Sequence, residues 1–247
     1  MNVFQTTFIS MQRTTYRVIL LNLAAIFATV VLASPFEKVY RQFEDGGFIT
    51  YFSVIQLFML SYFTCKIFKI RSNASIAPWR SPIAIWGIFS LGFSFLALDD
   101  LLMIHEWFDE LIHEIWRIQE TGLSDRIDDI IVGGYGLIAV ALLVIYRREL
   151  KKYIVVMPTV VAAFVTLFLM VGVDILTNRD DILLMLFQQS TVYSIDSWSF
   201  VLEEGLKLLA EGFFIIAAHT CLKIAHRITA PISELETVKQ LASKTIS

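Results

Sequence analysis

Apolar residues in this chain come in long unbroken runs, without the period-2 alternation of a half-buried strand or the one-sided stripe of a soluble helix. Six runs stand out, at residues 16–33, 48–68, 83–104, 130–146, 153–175 and 199–224. Each approaches the roughly 20 residues that a helix rising about 1.5 Å per residue needs to cross hydrocarbon. Barrel strands would be about half that length and would alternate. The pattern predicts an all-α polytopic membrane protein: a six-transmembrane-helix bundle over residues 1–230, followed by a polar cytoplasmic tail at 231–247. The stretch before the first run lacks the layout of a signal peptide, so that run is expected to be a retained helix.

Composition agrees. The chain is 56% hydrophobic and 17% charged, where a soluble domain carries about a quarter charged residues. Charge then sets the orientation. If the N-terminus lies inside, 14 of the 20 Lys and Arg fall on cytoplasmic segments, among them Lys66, Lys69, Arg71, Arg147, Arg148, Lys151 and Lys152. Short basic loops mark the cytoplasmic side. The opposite segments, 34–47, 99–129 and 174–198, hold 17 acids against 5 bases, so a net charge of only −3 conceals a polarised molecule. An acidic outer face attracts cations and repels anionic polymers, which excludes nucleic acid as a partner and leaves membrane lipids as the expected one. Cys65 and Cys221 fall at the cytoplasmic ends of runs two and six and read as packing residues.

The two longer outer segments, His105–Asp129 and Leu176–Trp198, are amphipathic. The third span is expected to continue as helix to about Ile118, no breaker occurring before Gly122, and Asp181–Tyr193 to form a short interfacial helix. In the fourth span Gly133, Gly134 and Gly136 predict a close-packed seam that would carry Asp129 toward a neighbouring helix.

Charges within the spans carry the candidate chemistry, because a charge in hydrocarbon is costly and must be paired or used. At about 100° per residue, Asp99, Glu106, Glu110, His113 and Arg117 lie within about 60° of one another, with Asp100 and His105 nearby. In the last span Glu203, Glu204, Lys207 and Glu211 occupy a wedge of about 100°, and Glu211 falls near the membrane midplane. Glu203 and Lys207 have the spacing of a helical ion pair. Asp174, at the outer end of the fifth span, completes a ring of acids from four spans.

Three readings follow. In the first, Asp99, His105, Glu106 and Glu204 hold a divalent metal, since carboxylates with a histidine suit such cations. Glu203 or Glu211 is then the general base of a metal-dependent enzyme acting on a lipid or other amphiphile. In the second, Glu211 is a titrating relay in a proton or cation channel or transporter. In the third, the charges are satisfied pairs in a structural or regulatory subunit of a larger membrane complex, or of a homo-oligomer.

Two resemblances arise from these residues. Glu203-Glu204-x-x-Lys207 resembles the leading motif of PrsW-type and CAAX-type intramembrane proteases. Those families carry Phe-x-x-x-His and a second His motif on later helices. Here only His219 and His226 follow, at other spacings, so protease activity is not carried over. Leu98-Asp99-Asp100 and Ile104-His105-Glu106, with the later Glu203-Glu204, resemble uncharacterised multi-pass membrane proteins of bacteria. That resemblance implies that the two patches form one site in a bacterial inner membrane, in which the basic loops place both termini on the cytoplasmic side. Lys207 stands where an acid would be expected, at odds with an all-carboxylate metal site.

Overall fold

A computed structural model describes residues 3–33, 39–44, 46–73, 77–116, 127–177 and 188–229, and every regular element among them is helical. In chain order these are α1 (Val3–Ala33), α2 (Phe48–Ser72), α3 (Ala84–Leu102), α4 (Ile104–Trp116), α5 (Ile127–Ile145), the one-turn α6 (Arg147–Leu150), α7 (Met157–Thr177) and α8 (Gln189–Thr229). Single 3-10 segments lie at Tyr40–Gln42, Pro78–Arg80 and Lys151–Val156. The tail expected at 231–247 lies outside the described residues.

Five segments are long and apolar enough to cross a membrane: Gln12–Ala33, Phe48–Ser72, Ala84–Leu102, Arg147–Ile175 and Trp198–Thr229. The apolar part of α5, Ile131–Ile145, is shorter. Trp86, at the start of α3, packs edge-on against Tyr153, in the 3-10 segment that follows α5 and α6, with ring centroids 4.9 Å apart. At the other end Phe95 of α3 meets Tyr135 of α5 at 5.6 Å. α3 and α5 therefore traverse the same layer in opposite directions.

The central helix is α8, with 61% of its apolar window buried against 17% for α1. It packs along α7, α2 and α1, while α3 lies on α2. Close approach comes from small residues, as expected where lipid gives helices no hydrophobic reason to associate: Gly205, Ala210, Gly212, Ala217, Ala218 and Ala225 are all buried on α8. At Gly212 a Cβ would strike the Asn22 amide nitrogen, which donates to the Leu208 carbonyl oxygen at 2.7 Å. Large apolar side chains point outward instead, including Leu20 and Phe27 of α1, Leu137 and Ile138 of α5, and Val161 and Leu169 of α7. A surface of that kind suits hydrocarbon as its solvent.

Three local expectations are corrected. Helix α3 does not run on to Ile118 but stops at Leu102, and α4 begins at Ile104. Met103 takes the left-handed conformation (φ 51°, ψ 46°), and its N–H returns to the Asp99 carbonyl oxygen. A left-handed residue with a side chain costs about 1–2 kcal/mol. The Asp99 carboxylate offsets this by accepting the His105 backbone N–H at 2.8 Å, one of the donors that a new helix start leaves without an intrahelical acceptor. Composition could not show this break, because no glycine or proline makes it. Second, of the helix expected at Asp181–Tyr193, residues 181–187 lie outside the described residues, and residues 189–193 open α8, which continues unbroken to Thr229. Third, the glycines of α5 do not form a close seam. A Cβ at Gly136 would meet Leu167 and Phe168 of α7 at an ordinary 3.6 Å, and one at Gly134 would meet nothing within 4 Å.

At the end of the bundle away from α4, Arg71 closes the fold. Its Nε donates to Glu149 Oε1 at 3.0 Å, and Lys152 Nζ reaches Glu149 Oε2 at 2.5 Å. This joins the last turn of α2 to the link between α5 and α7. Cys65 and Cys221 are both free thiols, Cys221 buried.

A candidate polar site above an apolar cavity

The intramembrane charges converge. Near the α3–α4 break, α2, α3, α4, α5, α7 and α8 surround a cavity of about 340 Å³. Of the residues singled out in the sequence, Asp99, Asp100, His105, Glu106, Asp174, Glu203, Glu204, Lys207 and Glu211 all line it. Glu110 and His113 are on α4 but not on its wall, because the turn at Met103 re-aims α4 relative to α3. Asp129 belongs to α5, with its side chain outside the described residues.

Lys207 organises the site. Its Nζ lies 2.6 Å from Asp100 Oδ1 and 3.2 Å from Glu204 Oε1. The side chains of all three are at most 18% exposed, so this is a buried bridge rather than a solvated pair. The partner expected for Lys207, Glu203, is replaced by Glu204 and Asp100. The spacing four residues back suits an isolated helix, but here α3 supplies a carboxylate from across the cavity. Helices α3 and α8 thus meet through these side chains, whereas the helix that α3 lies along is α2. Asp99, Glu106, Glu203 and Glu204 all line the same cavity, and Asp100 is joined to Glu204 through Lys207.

One turn deeper, Glu211 Oε1 accepts a hydrogen bond from Ser53 Oγ at 2.6 Å. Glu211 is 6% exposed, and its Oε2 has no hydrogen-bond partner among the described residues. Asp100 Oδ2 is in the same condition. Asp99 is held by its capping role, with His105 Nδ1 3.4 Å from the same oxygen.

Sequence reasoning missed the contribution of α2. Thr50, Ser53, Gln56, Ser61 and Thr64 are buried on one side of that helix. Gln56 Nε2 donates to Asn22 Oδ1 at 3.0 Å, and Ser61 Oγ lies 2.7 Å from Ser94 Oγ. The helical spacing of these small polar residues was the available signal. Among the described residues no group of three or more His, Cys, Asp or Glu is arranged to hold a metal ion. Lys207 already binds oxygens of two of the carboxylates that surround it.

Below this site lies a second cavity of about 370 Å³, lined almost wholly by hydrocarbon, reaching down to Leu150, Tyr153 and Val156. The two share Phe93, Leu96, Val132, Tyr135, Leu167 and Phe214 as walls, so the polar chamber adjoins the apolar one across these side chains. Of the glycines of α5, Gly136 is on the wall of this lower cavity.

The family model described as a domain of unknown function (DUF8692) matches residues 15–222, a stretch that contains the whole site. No curated protein and no solved structure matches the chain.

Proposed function

Because the chain belongs to the DUF8692 family, whose description states no activity, we propose its role from the site alone: an integral membrane protein that binds an amphiphile from the outer leaflet of a bacterial inner membrane. One observation carries the reading. A chamber rich in carboxylates adjoins a hydrocarbon-walled chamber of similar volume, with six side chains shared between them. Ligand sites usually enclose about 300–1,000 Å³ and combine apolar walls with a few placed polar groups; here the two characters are segregated, as in a molecule with a head and a tail. Glu203 and Glu211 are the proposed acid–base groups toward the head. A divalent metal is not part of this reading, since it would compete with the Lys207 ammonium for the same oxygens.

The proposed topology has six spans, with α5 as the fourth crossing and both termini cytoplasmic. It is supported by the opposed courses of α3 and α5 and by the basic residues gathered around Arg71 and Glu149. With Cys65 and Cys221 replaced by alanine, a cysteine at Ser124 is expected to react with an impermeant thiol reagent on intact cells, and one at Ser72 to resist it. Labelling at Ser72 from outside would reverse the orientation.

The binding role is tested with a photoreactive alkyl amphiphile in native membranes, followed by mapping of the labelled peptides. Labelling of the α3, α5 and α7 walls around Phe93, Val132 and Leu167, suppressed by Val132→Trp in the shared wall, is the expected result. Labelling restricted to outward-facing residues such as Leu137 and Leu169 would show lipid contact at the surface and no site.

A further inference from the structure

We propose that the head group taken by the polar chamber is a primary ammonium, so that the ligand is a long-chain amine without a phosphate; this rests on the amphiphile reading above.

Charge points first to a cation. Among the described residues, eight Asp and Glu side chains line the chamber against the single lysine, Lys207. A phosphate or carboxylate head would add negative charge to a wall already crowded with it.

Hydrogen bonding then selects the kind of cation. Lys207 spends its reach on Asp100 Oδ1 and Glu204 Oε1. Glu211 is buried with Oε2 lacking a donor, and Asp100 Oδ2 lacks one too. In the ionised form both only accept, so a ligand that brings positive charge together with N–H or O–H groups is the one that satisfies them. A quaternary ammonium has the charge but no N–H, and a hydroxyl has a proton but no charge. A primary ammonium has the charge and three donors, and charge-assisted bonds of this kind are the stronger ones. Position agrees as well. Glu211 lies one helical turn below Lys207 on the same face, on the side of the chamber nearer the apolar cavity through Phe214. An ammonium bound there leaves its alkyl chain room to descend.

The test is equilibrium binding of radiolabelled dodecylamine to the full-length protein in neutral-lipid nanodiscs, with empty nanodiscs subtracted. Competitors are dodecyltrimethylammonium, dodecanol, dodecyl phosphate and methylamine. Saturable binding is expected, with the three other dodecyl compounds competing at least about tenfold more weakly and methylamine weaker still. Glu211→Gln is expected to weaken dodecylamine at least about tenfold and to leave dodecanol unchanged. Equal competition by the trimethyl compound or by dodecanol would overturn the ammonium inference while leaving the amphiphile site standing. Equal competition by methylamine would overturn the amphiphile reading and keep the ammonium site. Absence of saturable binding would remove both. The competition series on the unmodified protein decides among these even if the Glu211 variant does not fold.

Discussion

Replacing Lys207 by methionine is expected to destabilise the protein by about 3–5 kcal/mol, the range for breaking a buried ion pair from one side. The loss comes less from the missing contacts than from what remains, since Asp100 and Glu204 would face each other across the cavity with no cation between them. Repair should therefore require neutralising the survivors. Lys207→Met with Asp100→Asn should recover part of the stability, and adding Glu204→Gln should recover most of it, because a neutral cluster leaves no uncompensated charge. Glu211→Gln behaves differently: Lys207 keeps both of its carboxylate partners, and the Ser53 hydroxyl can still donate to the amide oxygen. Thermal unfolding of the series in nanodiscs measures each step. A single Lys207→Met variant as stable as the parent would show that the bridge does not hold α3 to α8.

The second large effect belongs to the opposite end of the bundle. Arg71→Met should cost about 3 kcal/mol, at the lower edge of the same range, because Lys152 still reaches Glu149. Arg71→Lys should recover only part of this. The guanidinium offers Nε to one carboxylate oxygen at 3.0 Å and Nη2 to the other at 3.5 Å, a fork that a single ammonium cannot reproduce. Lys152→Met should cost under about 1 kcal/mol, since that side chain is 43% exposed and largely screened. The order matters more than the values. If Lys152→Met were as damaging as Arg71→Met, then Lys152 and not Arg71 would be the residue that locks α2 to the α5–α7 link.

The apolar runs were legible because spanning hydrocarbon is a local property: every residue in about 20 must be compatible with lipid, whatever its neighbours in space do. The helices α2, α3, α5, α7 and α8 therefore lie close to the runs that predicted them. The site was legible for the same kind of reason. A charge at membrane depth is conspicuous one residue at a time, and Asp99, Asp100, Glu204, Lys207 and Glu211 could be picked out before any fold was known. Ser53 could not, because a hydroxyl inside an apolar run is commonplace and becomes informative only when Glu211 of another helix is found 2.6 Å away. Nor could the partners of Lys207, which depend on how far α3 and α8 are rotated about their own axes, a matter settled by packing against α2. Tertiary structure likewise decided the break at Met103, where a carboxylate one turn upstream starts the next helix without glycine or proline. By itself, the sequence determined which segments are helical, which could enter a membrane and which charges would need company, because each of these follows from the composition of a single segment. Which charges keep company, and the apolar chamber beneath them, were decided only by the assembled bundle, because both are properties of the space between helices.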